Sequence, residues 1–230
     1  MLVLFDIDGT LLLSRGASLR CYRLAAAELF GRELHADGMR TAGGLDPLIW
    51  RTLCGVNGIG PAEADARHDA FRAAYARILE RELSTGGVAY ALPGVPALLD
   101  ALAARDDVTL GLLTGNYPET GRLKLEAAGL PADRFPVAAW GVDGGHRREL
   151  VPVALARCRD AVGRSPPPGQ VVIVGDTPHD VDCALTHGCR ALGVATGGHA
   201  ADELRAAGAH HVTPDLADTT SLLAWLDGGL

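Results

Sequence analysis

The stretch LVLFDIDGTLL, residues 2–12, sets Asp6 and Asp8 two positions apart inside an apolar run and follows them with Gly9 and Thr10. Like charges repel, and a buried, unpaired carboxylate costs several kcal/mol, so something must compensate these acids. Two more apolar runs end in polar groups. VTLGLL ends in Thr114, Gly115 and Asn116, and VVIV ends in Gly175-Asp176-Thr177-Pro178-His179-Asp180. Oxygen ligands with excess negative charge suit a hard divalent cation. Mg2+ typically takes a few carboxylates together with water and phosphate. Such an ion would offset the repulsion among Asp6, Asp8 and Asp176 and attract a phosphate that the acids alone would repel. Thr114 and the amides after it are placed to hold phosphate oxygens. An aspartate can serve as a covalent nucleophile toward a phosphoryl group, and a second acid can protonate the leaving group and then activate water. Asp, Thr and Gly are also ordinary turn residues. Three strand ends of this kind together favour a site over coincidence.

The elements that must position these residues follow from periodicity. Residues 2–7 are expected to form a short buried strand. Helical spacing then dominates ASLRCYRLAAAELFG, LDPLIWRTLCGV and PAEADARHDAFRAAYARILERELS, and STGG at 84–87 breaks it. From about residue 89 the chain alternates. Helices are expected in PGVPALLDALAAR, PETGRLKLEAAG, ELVPVALARCRDAVG, HDVDCALTHG and ADELRAAG. Strands are expected in VTLGLLT, FPVAAW, VVIVGD, CRALGVAT and AHHVT. This alternation predicts an α/β fold with a parallel sheet and helices on both faces. The continuously apolar strands fit a sheet covered on both sides. Residues 1–13 and 89–230 are therefore expected to form one discontinuous core, with 14–88 an inserted helical cap. Ligands of open α/β sheets bind beyond the carboxyl ends of the strands, where all three polar groups fall.

Composition narrows the partners. Lys and Arg number 21 against 28 Asp and Glu, a net charge of −7, which argues against nucleic acid. The five cysteines include no CxxC pair, which argues against a disulfide framework and for a reducing, cytoplasmic setting. No apolar run is long enough to span a bilayer, and the first strand lacks the basic flank of a secretory signal. A small-molecule phosphate ester is the expected partner, with the protein a monomer or homodimer.

DIDGT, LLTGN and VVIVGDTPHD, in this order, resemble the haloacid-dehalogenase (HAD) superfamily, and phosphoglycolate-phosphatase-like members in particular. The resemblance covers the whole chain and implies a Rossmann-like core with a helical cap. It implies a Mg2+-dependent phosphatase that hydrolyses a small phosphorylated metabolite through an aspartyl-phosphate. Asp6 would be the nucleophile and Asp8 the general acid and base, with its carbonyl on the metal. Thr114 would hold the phosphoryl group, Asp176 would complete the metal site, and Asp180 would stand beside it as ligand or support. Gly9 and Thr10 would shape the first turn, and Gly115 and Asn116 would line the phosphate site. The family also expects a lysine before the helix leading to the GDxxxD strand, where this chain reads GGHRREL. Arg147 is the first candidate for that role and Arg148 the second, since arginine can grip phosphate bidentately. Lys124, the chain's only lysine, is the rival, although it could simply snorkel from an amphipathic helix.

Other signals are weaker. His179, Cys183 and His187 share a helical face, but the cysteines lack zinc spacing, and a packed face is the simpler reading. His210 and His211 should alternate in and out of a strand. RTAGGLDPLIW, residues 40–50, is either a loop with an N-cap at Asp46, or a cap loop whose Gly43 and Gly44 touch substrate. A phosphomutase or phosphotransferase shares the first chemical step. A phospho-Asp signalling domain, or a binding module without catalysis, would use the same residue types. The DxD spacing and the helical insert argue against the signalling domain, and the retained acids against the idle module.

Overall fold

The computed structural model describes residues 1–36, 38–39 and 41–228; Arg40, the first residue of the proposed cap loop, lies outside them. Strands β1 (Leu2–Phe5), β4 (Thr109–Leu113), β5 (Val137–Ala139), β6 (Val171–Gly175), β7 (Arg190–Val194) and β8 (His211–Thr213) form one sheet in the order β5-β4-β1-β6-β7-β8. Every pairing in it is parallel. A parallel sheet needs covered faces, and β1 shows how the sequence supplies them. Val3 and Phe5 point into one cluster with Val95, Leu98 and Leu102 of α4 (Val95–Ala103) and Leu222 of α9 (Thr219–Asp227). Leu2 and Leu4 point into the other, with Leu150 and Val151 of α6 (Leu150–Val162), Val181 of α7 (Pro178–Thr186) and Leu204 of α8 (Ala201–Ala206). The fold is thus the α/β arrangement with helices on both faces that the alternation of elements predicts.

Helices α1 (Ala17–Phe30), α2 (Asp46–Val56) and α3 (Pro61–Leu83) lie between two short strands, β2 (Leu12–Leu13) and β3 (Tyr90–Ala91). These strands pair antiparallel, outside the main sheet. The three helices build a third cluster around Trp50, Phe71 and Tyr75. Trp50 stacks on Phe71 with ring centroids 4.1 Å apart, and its indole donates to the Ala64 carbonyl at 2.9 Å. Tyr117, which precedes α5 (Pro118–Ala127), joins this cluster, so α5 meets α3 directly. Arg72 of α3 grips Glu119 of α5 through two hydrogen bonds at 2.9 and 3.0 Å.

The sheet order places β1 between β4 and β6. Phe5 is in register with Leu112 on one side and Val174 on the other. Asp6, Thr114 and Asp176, each the next polar residue beyond its strand, therefore emerge side by side at the switch point of the sheet.

Candidate active site

Carboxylate oxygens of Asp6, Asp176 and Asp180 all lie within 4.8 Å of one another, and all three residues are buried. Backbone packing enforces this crowding. Gly9 has φ of +82°, and a Cβ there would strike the Asp176 carboxyl; a Cβ on Gly197 would strike it from the other side. Asp176 is thus clasped between two glycines, and the Thr10 hydroxyl donates to its Oδ1 at 3.2 Å. Burial pushes the Asp176 carboxyl up to about 8, with the charges of Asp180 and Asp6 adding to the shift. Burial likewise raises the Asp6 carboxyl, opposed chiefly by the Arg147 guanidinium.

Arg147 is 5% exposed and threads between three segments. Its Nη2 lies 2.6 Å from Asp180 Oδ1 and 3.1 Å from Asp6 Oδ2, and donates to the Leu113 carbonyl at 3.3 Å. Its Nη1 donates to the Gly43 carbonyl in the loop before α2 at 3.1 Å. Asp180 is held twice over. Its second oxygen accepts from the Thr177 amide at 3.1 Å and the Thr177 hydroxyl at 2.6 Å, which closes a capping box on α7. Asp180 therefore buttresses Arg147, which leaves Asp6 and Asp176 as the carboxylates with oxygens to offer an ion.

Asp8 stands apart from the acid cluster. Its Oδ2 accepts from Lys124 Nζ at 2.7 Å and from Asn116 Nδ2 at 2.9 Å. Lys124 is 2% exposed and also donates to Asn116 Oδ1 at 2.6 Å. Asn116 passes the connection on to Thr114 Oγ1 at 2.8 Å. The two rival cations are thus both in the site, one on each acid of the DxD pair. Lys124 is no snorkelling surface residue. Arg148 is the departure: it pairs with Asp182 on an exposed face, away from the acids. The side chain of Thr10 supports Asp176 and lines no open space.

A cavity of about 470 Å3 opens above these groups. Its lining includes Asp6, Asp8, Gly9, Thr114, Gly115, Asn116, Lys124, Arg147 and Asp176, with Gly43, Gly44, Asp46 and Tyr75 opposite. The loop before α2 is docked by its backbone. The Asp46 amide donates to the Gly115 carbonyl at 2.8 Å, and Asp46 Oδ2 accepts from the Tyr117 amide at 2.9 Å. A Cβ on Gly43 would meet His179 and Thr177, and one on Gly115 would strike the Gly44 carbonyl, so glycine permits the close approach. Asp46 is not the N-cap that its position before Pro47 predicts. Leu45 is the capping residue, Asp46 begins α2, and its carboxylate reaches across to the turn before α5. Spacing gave no hint of that contact, because it joins segments 71 residues apart. Three of the weaker signals have partners or positions outside this cavity. His187 bonds the Arg148 carbonyl, Cys183 is buried in the core, and the His210 ring accepts from the Ala191 amide.

Residues 146–219 match the model of the HAD-hydrolase-like family. No curated protein sequence matches the chain. Among solved structures, a hydrolase from Pseudomonas syringae is 22% identical, with a TM-score of 0.72 and 97% of each chain covered. CbbY from Rhodobacter sphaeroides, determined in complex with phosphate, is 21% identical, with a TM-score of 0.72 over 94% of this chain and 95% of its own. A predicted phosphoglycolate phosphatase from Haemophilus somnus is 19% identical, with a TM-score of 0.69 over 96% and 97%. At such identities the likeness is one of fold. The likeness of fold thus spans the chain, and the match to the HAD-hydrolase-like family model covers its residues 146–219.

Proposed function

We propose that the protein is a Mg2+-dependent phosphatase that hydrolyses a small phosphorylated metabolite through a phosphoryl group carried on Asp6. Residues 14–88 act as its cap over a core of 1–13 and 89–230. The observation that carries this reading is the pairing at the strand ends: Asp6 with Arg147 at 3.1 Å, and Asp8 with Lys124 at 2.7 Å, around one cavity.

The donor set fits a hard cation. Buried carboxylates whose protonation is favoured, one of them, Asp176, packed against two glycines, are a site in which a divalent ion would relieve charge that the fold itself does not. Asp6 and Asp176 would hold it. Bound there, it would neutralise the acids and supply positive charge for phosphate oxygens. The chain's own groups account for the rest. Arg147 fixes the Asp6 carboxylate and keeps a positive charge beside the oxygens of an incoming phosphate. Thr114, Gly115 and Asn116 line the same space. An Asp6 oxygen attacks phosphorus and the bond to the alcohol oxygen breaks, with the proton supplied by Asp8. Asp8 then takes a proton from the water that releases phosphate from Asp6. Lys124 and Asn116 hold the Asp8 carboxyl at one orientation throughout. The cap loop, docked on Gly115, keeps bulk water from the first step.

Purified protein with Mg2+ and p-nitrophenyl phosphate tests the reading. The wild type is expected to release phosphate, and Asp6→Asn to lose at least about 10³-fold in kcat, the scale set by removing a covalent nucleophile. An Asp6→Asn protein with full activity would contradict it. Sugar phosphates that are isomerised without release of phosphate would assign the first step to a mutase instead.

A further inference from the structure

The floor and the outer wall of the cavity differ in charge. At the floor, Asp6 and Asp8 each have a cation. Among the described residues lining the cavity, Lys124 and Arg147 are its only lysine and arginine side chains, and both serve the floor. The outer wall comes from α1 to α3 and the loop before α2. It is apolar at Leu19 and Ile49, aromatic at Tyr22 and Tyr75, and acidic at Asp46. The Asp46 carboxylate is only half used: Oδ2 accepts from the Tyr117 amide at 2.9 Å, whereas Oδ1 has no hydrogen-bond partner among the described residues. Lys124, the cation that acts on Asp46 most strongly, spends its hydrogen bonds on Asp8 and Asn116.

This wall discriminates by charge. A carboxylate or a second phosphate on the alcohol part of an ester would face the Asp46 carboxylate, and like charges in the cavity wall disfavour binding. A hydroxyl or ammonium would instead donate to the unpartnered Oδ1, a contact that substrates without such a donor cannot make. Resting on the phosphatase reading, we propose that Asp46 is a specificity residue that selects phosphomonoesters whose alcohol part carries a hydrogen-bond donor and no second anion, the chemistry of a polyol or an amino alcohol. This moves the substrate class away from phosphoglycolate, whose alcohol part carries a carboxylate.

Steady-state kinetics with Mg2+ on p-nitrophenyl phosphate, glycerol 1-phosphate, O-phosphoethanolamine and phosphoglycolate test the proposal. The wild type is expected to favour glycerol 1-phosphate or O-phosphoethanolamine over phosphoglycolate by at least about tenfold in kcat/KM, and the better of the two tells polyol from amine. Asp46→Asn keeps an acceptor for the Tyr117 amide and removes the charge. It is expected to shrink that preference about tenfold, through improved kcat/KM for phosphoglycolate. Turnover of p-nitrophenyl phosphate with phosphoglycolate as good as either donor-bearing ester would overturn the proposal and leave the phosphatase reading standing. So would an unmoved preference in a folded Asp46→Asn protein. If that variant does not fold, the wild-type ranking decides alone. A wild type that turns over none of the four compounds removes the phosphatase reading, and this inference with it.

Discussion

Arg147 shows why one cation type cannot replace the other at this site. A guanidinium presents donors in a fork, and here the fork touches Asp6, Asp180, the Leu113 carbonyl and the Gly43 carbonyl together. A lysine ammonium is a compact point charge and cannot span those four positions. Arg147→Lys is therefore expected to keep the fold and lose about 10–100-fold in kcat/KM on p-nitrophenyl phosphate. Arg147→Met leaves two buried acids without their partner and is expected to cost about 3–5 kcal/mol by denaturant unfolding without metal. Asp46 offers a pH test. Burial pushes its carboxyl up to about 7, above the range of an unfolded chain, so the protonated form favours the folded state. The stability this lends is present below about pH 4 and lost as pH rises through 7. Asp46→Asn should therefore lose about 1–2 kcal/mol less than the wild type between pH 5 and pH 8, read by urea unfolding at both values. Legibility in the sequence divides along the same line. Asp6, Thr114 and Asp176 were visible because each follows an apolar strand directly, and Asp8 because it stands two positions beyond Asp6. The functions of Lys124 and Asp46 depend on contacts across the fold that no local spacing records, and Arg148 differs from its neighbour Arg147 only in the direction its side chain takes.

Among the elements, the loop before α2 and the turn after β4 meet backbone to backbone beside the cavity. The two backbones come together because Gly115 has no side chain to hold the Gly44 carbonyl away. Gly115→Ala is expected to push the Gly44 carbonyl away and raise KM for p-nitrophenyl phosphate about tenfold, while circular dichroism stays that of the wild type. An unchanged KM would show that this docking is dispensable. The parallel strands and their helices were legible because strands buried on both faces read as continuous apolar runs. Strands β2 and β3 escaped notice. At two residues each they carry no period, and they exist only because the chain enters and leaves the helices α1 to α3 at neighbouring points. Helix α9 also went unpredicted, since little in TTSLLAWLD marks it beyond the Asp218 cap.

Across the whole molecule, a sheet that converges three acids and a helical lobe that carries another are joined through one cavity. An ion between Asp6 and Asp176 should stabilise the fold by mass action, by about 2.7 kcal/mol at a hundredfold excess over its dissociation constant. Thermal unfolding with and without Mg2+ is expected to show this rise, and Asp176→Asn is expected to abolish most of it. The most direct measurement of the central claim is chemical trapping of the phosphorylated enzyme. Protein mixed with substrate and Mg2+, quenched and treated with borohydride, would have the acyl-phosphate reduced to an alcohol, and peptide mass spectrometry would locate it. Asp6 converted to homoserine, only when substrate is present, is the predicted result. Rapid phosphate release with Asp6 unmodified, or the label on another acid, would contradict the account.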